Sequence, residues 1–107
     1  MPGFFTGKPL ASGLVATSLT AIYTVPASTV AYVRLIRFFN INAASQTLDV
    51  HIREDGTNDR HFWRFTLAQF IGDQITVPLV LGAADIIKAT TTTASAVAYI
   101  VCGVEEL

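Results

Sequence analysis

Ile22-Tyr23-Thr24-Val25-Pro26-Ala27, followed by Ala31-Tyr32-Val33-Arg34-Leu35-Ile36-Arg37-Phe38-Phe39-Asn40-Ile41-Asn42, is the stretch that decides the fold. A proline pushes the residue before it into extended backbone and has no amide hydrogen to give to a sheet. A strand therefore ends near Val25. The segment after the turn is dense in β-branched and aromatic side chains, which suit a pleated surface, so a long strand is expected over 29–42. Its alternation is mixed: Val33, Leu35 and Phe39 share one parity, Ile36, Phe38 and Asn40 the other. Either both faces are covered, or a bulge near Leu35-Ile36 switches the parity. In a regular strand Arg34 and Arg37 fall on opposite faces. One of them then needs a carboxylate or a subunit boundary, because an unpaired buried guanidinium is very costly.

Outward from this stretch every segment reads as β. Before it, Leu14-Val15-Ala16 and Ala21 to Val25 make a first, broken strand. After it, 46–54 alternates cleanly, with Leu48, Val50 and Ile52 on one face and Asp49, His51 and Arg53 on the other, the mark of a half-buried strand. Asp55-Gly56-Thr57-Asn58 is a hairpin signal. Residues 60–67 return, with Trp63, Phe65 and Leu67 toward the core and Phe62, Arg64 and Thr66 away from it. Residues 69–74 read as a turn around Gly72-Asp73. A strand over 75–81 follows, placed at an edge or bulge by Pro78, then a break at Gly82 and a short strand over 85–90. Thr91 to Ser95 turns into a last strand over 96–105, where Gly103 suits a bulge. No segment has helical spacing. Seven or eight strands separated by turn signals give an all-β, antiparallel sandwich or barrel. Residues 1–12, with Pro2, Gly3, Gly7 and Pro9 around Phe4 and Phe5, are expected to be an extended arm, and 13–107 the sandwich domain.

Composition narrows the function. The 107 residues are 51% hydrophobic and only 14% charged, against about 25% charged in ordinary soluble domains. So few charges leave apolar surface exposed, and large exposed apolar patches mark contact sites; an oligomer or assembly subunit is expected. A net charge of −1, with scattered Lys and Arg, lacks the basic stripe of a nucleic-acid binder. No apolar run approaches the roughly 20 residues of a membrane helix, and the N-terminus does not read as a signal peptide. Cys102 is the single cysteine, so no intrachain disulfide forms.

Chemistry-bearing patterns are sparse. Six of the fifteen charged side chains, Arg53, Glu54, Asp55, Asp59, Arg60 and Arg64, crowd into the twelve residues of one hairpin. They read as a solvated tip with cross-strand pairs such as Arg53–Asp59 or Glu54–Arg60, or as a polar contact to a partner. His51 and His61 face each other in one register, with Asp49 two residues along, but a one-residue slip separates the imidazoles; no metal or other cofactor is assigned. No nucleophile elbow, phosphate loop or zinc-protease motif is present, and no catalytic residue is assigned. Trp63, Phe62 and Tyr99 are candidate sugar-binding aromatics, though aromatics on a β-sandwich are more often core.

The segments Tyr23-Thr24-Val25-Pro26-Ala27 and Arg37-Phe38-Phe39-Asn40, the strand–Gly–Asp–strand unit over 79–89, and the final strand ending Gly103-Val104-Glu105 together resemble small structural proteins of tailed-bacteriophage virions. The resemblance covers roughly residues 14–106. It implies a jelly-roll-like sandwich, a homotrimer or other ring, and a location in the virion after synthesis in the host cytoplasm. It implies a non-enzymatic capsid decoration (cement) protein that binds itself and the major capsid protein, or alternatively a tail or head fibre module that binds a host glycan. The arm with Phe4 and Phe5 matches no part of that pattern. The residues expected to make contacts are Phe4, Phe5, Arg34, Arg37, Arg53, Glu54, Asp55, Asp59, Arg60 and Arg64.

Overall fold

The computed structural model describes residues 10–54 and 56–106. Phe4, Phe5 and Asp55 lie outside the described residues. Within them the chain forms β1 (Ala11–Leu14), β2 (Thr20–Thr24), β3 (Val30–Asn40), β4 (Gln46–Arg53), β5 (Arg60–Leu67), β6 (Gly72–Ile75), β7 (Leu79–Leu81), β8 (Ile86–Thr91) and β9 (Val97–Glu106). Two antiparallel sheets result. Sheet A has the order β1-β9-β3-β6, with β7 also paired to β3, and sheet B has the order β2-β8-β4-β5. The pairing is nested: β1 with β9, β2 with β8, β3 with β6 and β7, β4 with β5. With β6 and β7 taken as halves of one interrupted strand, this is the strand order of a jelly roll. The expected antiparallel β-sandwich is the fold.

Three local expectations change. Gly72-Asp73-Gln74, expected as a turn, is strand, because Phe39 and Arg37 offer it a free edge of β3. The expected strand over 75–81 is broken at Thr76–Pro78, since proline cannot donate to the ladder, and pairing resumes only at Leu79. Ala11 and Ser12, assigned to the arm, already pair with Val101 and Ile100 of β9.

The mixed parity of β3 is a bulge. Val33 faces Gly103 and Leu35 faces Cys102, which leaves Arg34 as the extra residue. Ala31 and Val33 point inward before it, Ile36, Phe38 and Asn40 after it. Arg34 and Arg37 are therefore both exposed rather than on opposite faces, and neither carries the cost of burial. Gly103 permits this arrangement. A Cβ there would lie 2.1 Å from the Tyr32 carbonyl oxygen and 2.9 Å from the Val33 Cα.

Between the sheets, Ile36, Phe38, Val97 and Val101 meet Leu48, Val50, Ile87 and Ala89, all fully buried. Each larger side chain contributes about 1.5–3 kcal/mol by leaving water. Asn40 ends β3 inside this core, fully buried. Its Nδ2 donates to the carbonyls of Ala44 (2.9 Å), Leu67 (3.0 Å) and Ala68 (3.1 Å), and its Oδ1 accepts from the Asn42 amide (2.9 Å). One side chain thereby ties the end of β3 in sheet A to the end of β5 in sheet B.

Candidate functional site

The two outer faces of the sandwich differ in kind. On sheet B the outward row of β4, Thr47, Asp49, His51 and Arg53, sits beside Lys88 and Thr90 of β8 and beside Arg64 of β5. Its charges are satisfied internally. Arg53 donates twice to Asp59 (Nε–Oδ1 2.8 Å, Nη2–Oδ2 3.1 Å), and Lys88 adds a third contact at 3.2 Å. Arg64 holds Asp49 at 2.6 Å. These bonds lower the carboxyl pKa of Asp59, chiefly through Arg53, and of Asp49, chiefly through Arg64. The hairpin charges behave as a cross-strand network, including the Arg53–Asp59 pair expected from the sequence. Gly56 takes a positive φ of 78° at its tip, a conformation that costs glycine little.

His51 and His61 do face each other, and the reason is a second bulge. Val50 pairs with Trp63 but His51 with His61, leaving Phe62 as the extra residue. The imidazoles stack with centroids 4.7 Å apart and planes 18° from parallel. His61 Nε2 lies 2.9 Å from the Trp63 carbonyl and 3.0 Å from Asp49 Oδ1. Buried His51 Nδ1 has no hydrogen-bond partner, and burial is the main reason its pKa is lowered. Among the described residues no group of three or more His, Cys, Asp or Glu is placed to hold a metal ion.

The outer face of sheet A is apolar. Register sets Tyr32 between Val104 and Val80, and Phe39 beside Ala98, which in turn faces Leu14. Leu14, Val30, Tyr32, Phe39 and Val80 are all exposed, Val80 by 68%. At the β7 end an open cleft of about 580 Å³ runs between Tyr32, Arg34, Pro78, Leu79, Val80 and Val104. Glu106 closes one side and accepts a long hydrogen bond from the Tyr32 hydroxyl at 3.4 Å. Arg34 lines this cleft, and its side chain makes no hydrogen bond or ion pair among the described residues. Near the other end of β3, a shallower depression of about 230 Å³ is lined by Arg37, Phe39, Ala98, Tyr99 and Ile100.

Beyond that depression the β5–β6 loop presents Phe70 and Ile71, each more than half exposed. Sequence reasoning passed over them as part of a turn. The available signal was an aromatic–aliphatic pair sitting where a polar turn was expected. Of the expected contact residues, Arg34 and Arg37 lie on the apolar face, Arg37 donating to Gln74 Oε1 at 3.2 Å. Arg53, Asp59, Arg60 and Arg64 belong to sheet B or its hairpin, as does exposed Glu54. The structure does not gather the candidate sugar-binding aromatics. Phe62 and Trp63 are neighbours on β5, at 5.8 Å between rings, whereas Tyr99 is in the other sheet. No family model, curated protein or solved structure matches the chain.

Proposed function

We propose that this chain is a non-enzymatic structural subunit that works by self-association through the outer face of sheet A. The observation that carries the reading is the asymmetry of the sandwich: one outer face spends its charges on internal pairs, the other exposes Tyr32, Phe39, Val80 and Leu14. Apolar surface of that kind on a small domain gains free energy by leaving water against a partner. The biological role that fits a purely adhesive domain of 107 residues is the one implied by the sequence resemblance. In that role the protein decorates a bacteriophage capsid as a homotrimer or other ring and bridges major capsid subunits.

Light scattering on the purified protein over a range of concentrations tests the first half; an oligomer is expected, and a monomer at every concentration refutes self-association. Antibody labelling of purified particles tests the second half. Label on the head surface is expected, and its absence removes the decoration role.

A further inference from the structure

Two features on sheet A and its border complement each other, and they lie at opposite ends of β3. One is a knob. Phe70 holds a φ of 54°, a left-handed conformation that is strained for a bulky residue, and presents its ring to solvent. The loop carrying it is pinned on both sides: Ile71 N donates to the Ala68 carbonyl (3.1 Å), Asn40 N to the Ile71 carbonyl (3.0 Å), and Asn40 Nδ2 to the Ala68 carbonyl. The backbone that carries this exposed aromatic is thereby held in place, so binding removes little further backbone freedom from the loop. The other feature is the apolar cleft between Tyr32, Pro78, Val80 and Val104, whose volume lies within the range of binding pockets.

Charge points the same way. The Arg34 side chain stands in the cleft without an ion pair among the described residues, the Glu106 carboxylate on the same cleft wall being engaged by the Tyr32 hydroxyl instead. Asp73, three residues after Phe70, is exposed, accepts from the Gln74 amide at 2.7 Å and meets no cation among the described residues. From Tyr32 to Asn40 the strand runs about 25 Å at roughly 3.3 Å per residue, so the pinned knob does not reach the cleft of its own chain.

The geometry points to a head-to-tail contact in which Phe70 and Ile71 of one copy enter the Tyr32–Val80 cleft of a second copy, with Asp73 against Arg34. This rests on the self-association reading and specifies its form. The two surfaces differ, so the contact is heterologous: it closes into a ring if the rotation between copies allows, and otherwise continues as a filament.

The test uses two variants of the full chain, Phe70→Gly, which removes the ring and relieves the backbone, and Val80→Glu, which puts a charge into the cleft at an exposed site. Sedimentation velocity is run on each alone and on an equimolar mixture, with circular dichroism to establish folding; Phe70→Asn, also tolerant of the left-handed backbone, replaces Phe70→Gly if that variant does not fold. Each variant alone is expected to be monomeric, with self-association weakened at least tenfold. The mixture is expected to form a 1:1 dimer, because one partner keeps its cleft and the other its knob. Arg34→Glu should dissociate the assembly and Arg34→Glu with Asp73→Arg should restore it. If the wild type associates but the single variants associate equally well, or their mixture stays monomeric, the head-to-tail contact is wrong while self-association stands. A wild type monomeric throughout overturns both.

Discussion

Replacing Gly103 with Ala probes the contact on which the long β3–β9 pair depends. The new Cβ would sit 2.1 Å from the Tyr32 carbonyl oxygen, 2.9 Å from the Val33 Cα and 3.0 Å from the Tyr32 carbonyl carbon. All three are backbone atoms of the facing strand, so no side chain can swing aside. Relief requires the strands to part by about 1 Å at the bulge, which close-packed interiors resist. The overpacking costs about 1–3 kcal/mol, and the two nearest ladder hydrogen bonds, stretched or broken, cost about 1 kcal/mol each. The sum, about 3–5 kcal/mol, is a large share of the roughly 5–15 kcal/mol that holds a typical domain together. In urea, with a slope of about 2 kcal/mol per M, the midpoint should fall by about 1.5–2.5 M. Gly82→Ala is the matched control. Its Cβ would meet nothing nearer than Asp85 Oδ2 at 3.8 Å, and it should be neutral or slightly stabilising because the unfolded chain loses freedom. A Gly103→Ala protein that unfolds within about 1 kcal/mol of the wild type would refute the account of the bulge.

Asn40→Ala should cost about 2–4 kcal/mol, because it strips partners from buried carbonyls at the junction of the sheets; thermal unfolding measures it, and a loss below about 1 kcal/mol would contradict the clamp. For His51, burial and then the neighbouring His61 hold the imidazole below its ordinary value of 6.5. The unfolded chain therefore takes up the proton first as pH falls. Stability should be intact above pH 6.5, decline below it, and level off once the folded imidazole is protonated. Denaturation midpoints from neutral pH down to 5 should show that decline in the wild type and a smaller one in His51→Gln, with Asp49, Asp59, Lys88 and His61 left in place; equal declines would refute the assignment. A double-mutant cycle on Arg53 and Asp59 should give a small coupling that shrinks as salt is added; a coupling that persists undiminished at high salt would mean that the hairpin network is more than a solvated surface.

The sandwich was legible because β4 alternates without error and because Pro26, Gly56 and Gly82 punctuate the chain where strands end. The nesting of the strands was not, since no residue type announces that β1 will find β9 across most of the chain. The Arg34 bulge was half visible, as a parity conflict that a regular strand could not satisfy. The Phe62 bulge was hidden, because Phe62 and Trp63 alternate as they would in a regular strand and only the register betrays the extra residue. The strand at Gly72–Ile75 was concealed by turn-forming residues recruited to a free edge of β3. The cleft could not be read locally, and the Phe70 knob showed only as an aromatic–aliphatic pair where a polar turn was expected. Each is made of residues whose exposure depends on which neighbours the fold withholds.

The nested pairing also bears on how the molecule is made. The most C-terminal of the described strands, β9, lies in the interior of sheet A with β1 on one side and β3 on the other. Until it arrives, β1 has no strand to join and β3 has one bare edge. Sheet B, by contrast, lacks nothing once β8 has been made. Pairings that join distant parts of a chain are slow to close, and this one waits on β9 to emerge. The part of the apolar interior that β9 and β1 cover therefore stays open until β9 has been made. A chain that stops short of Val97 should expose a hydrophobic sheet and aggregate rather than fold to a smaller domain.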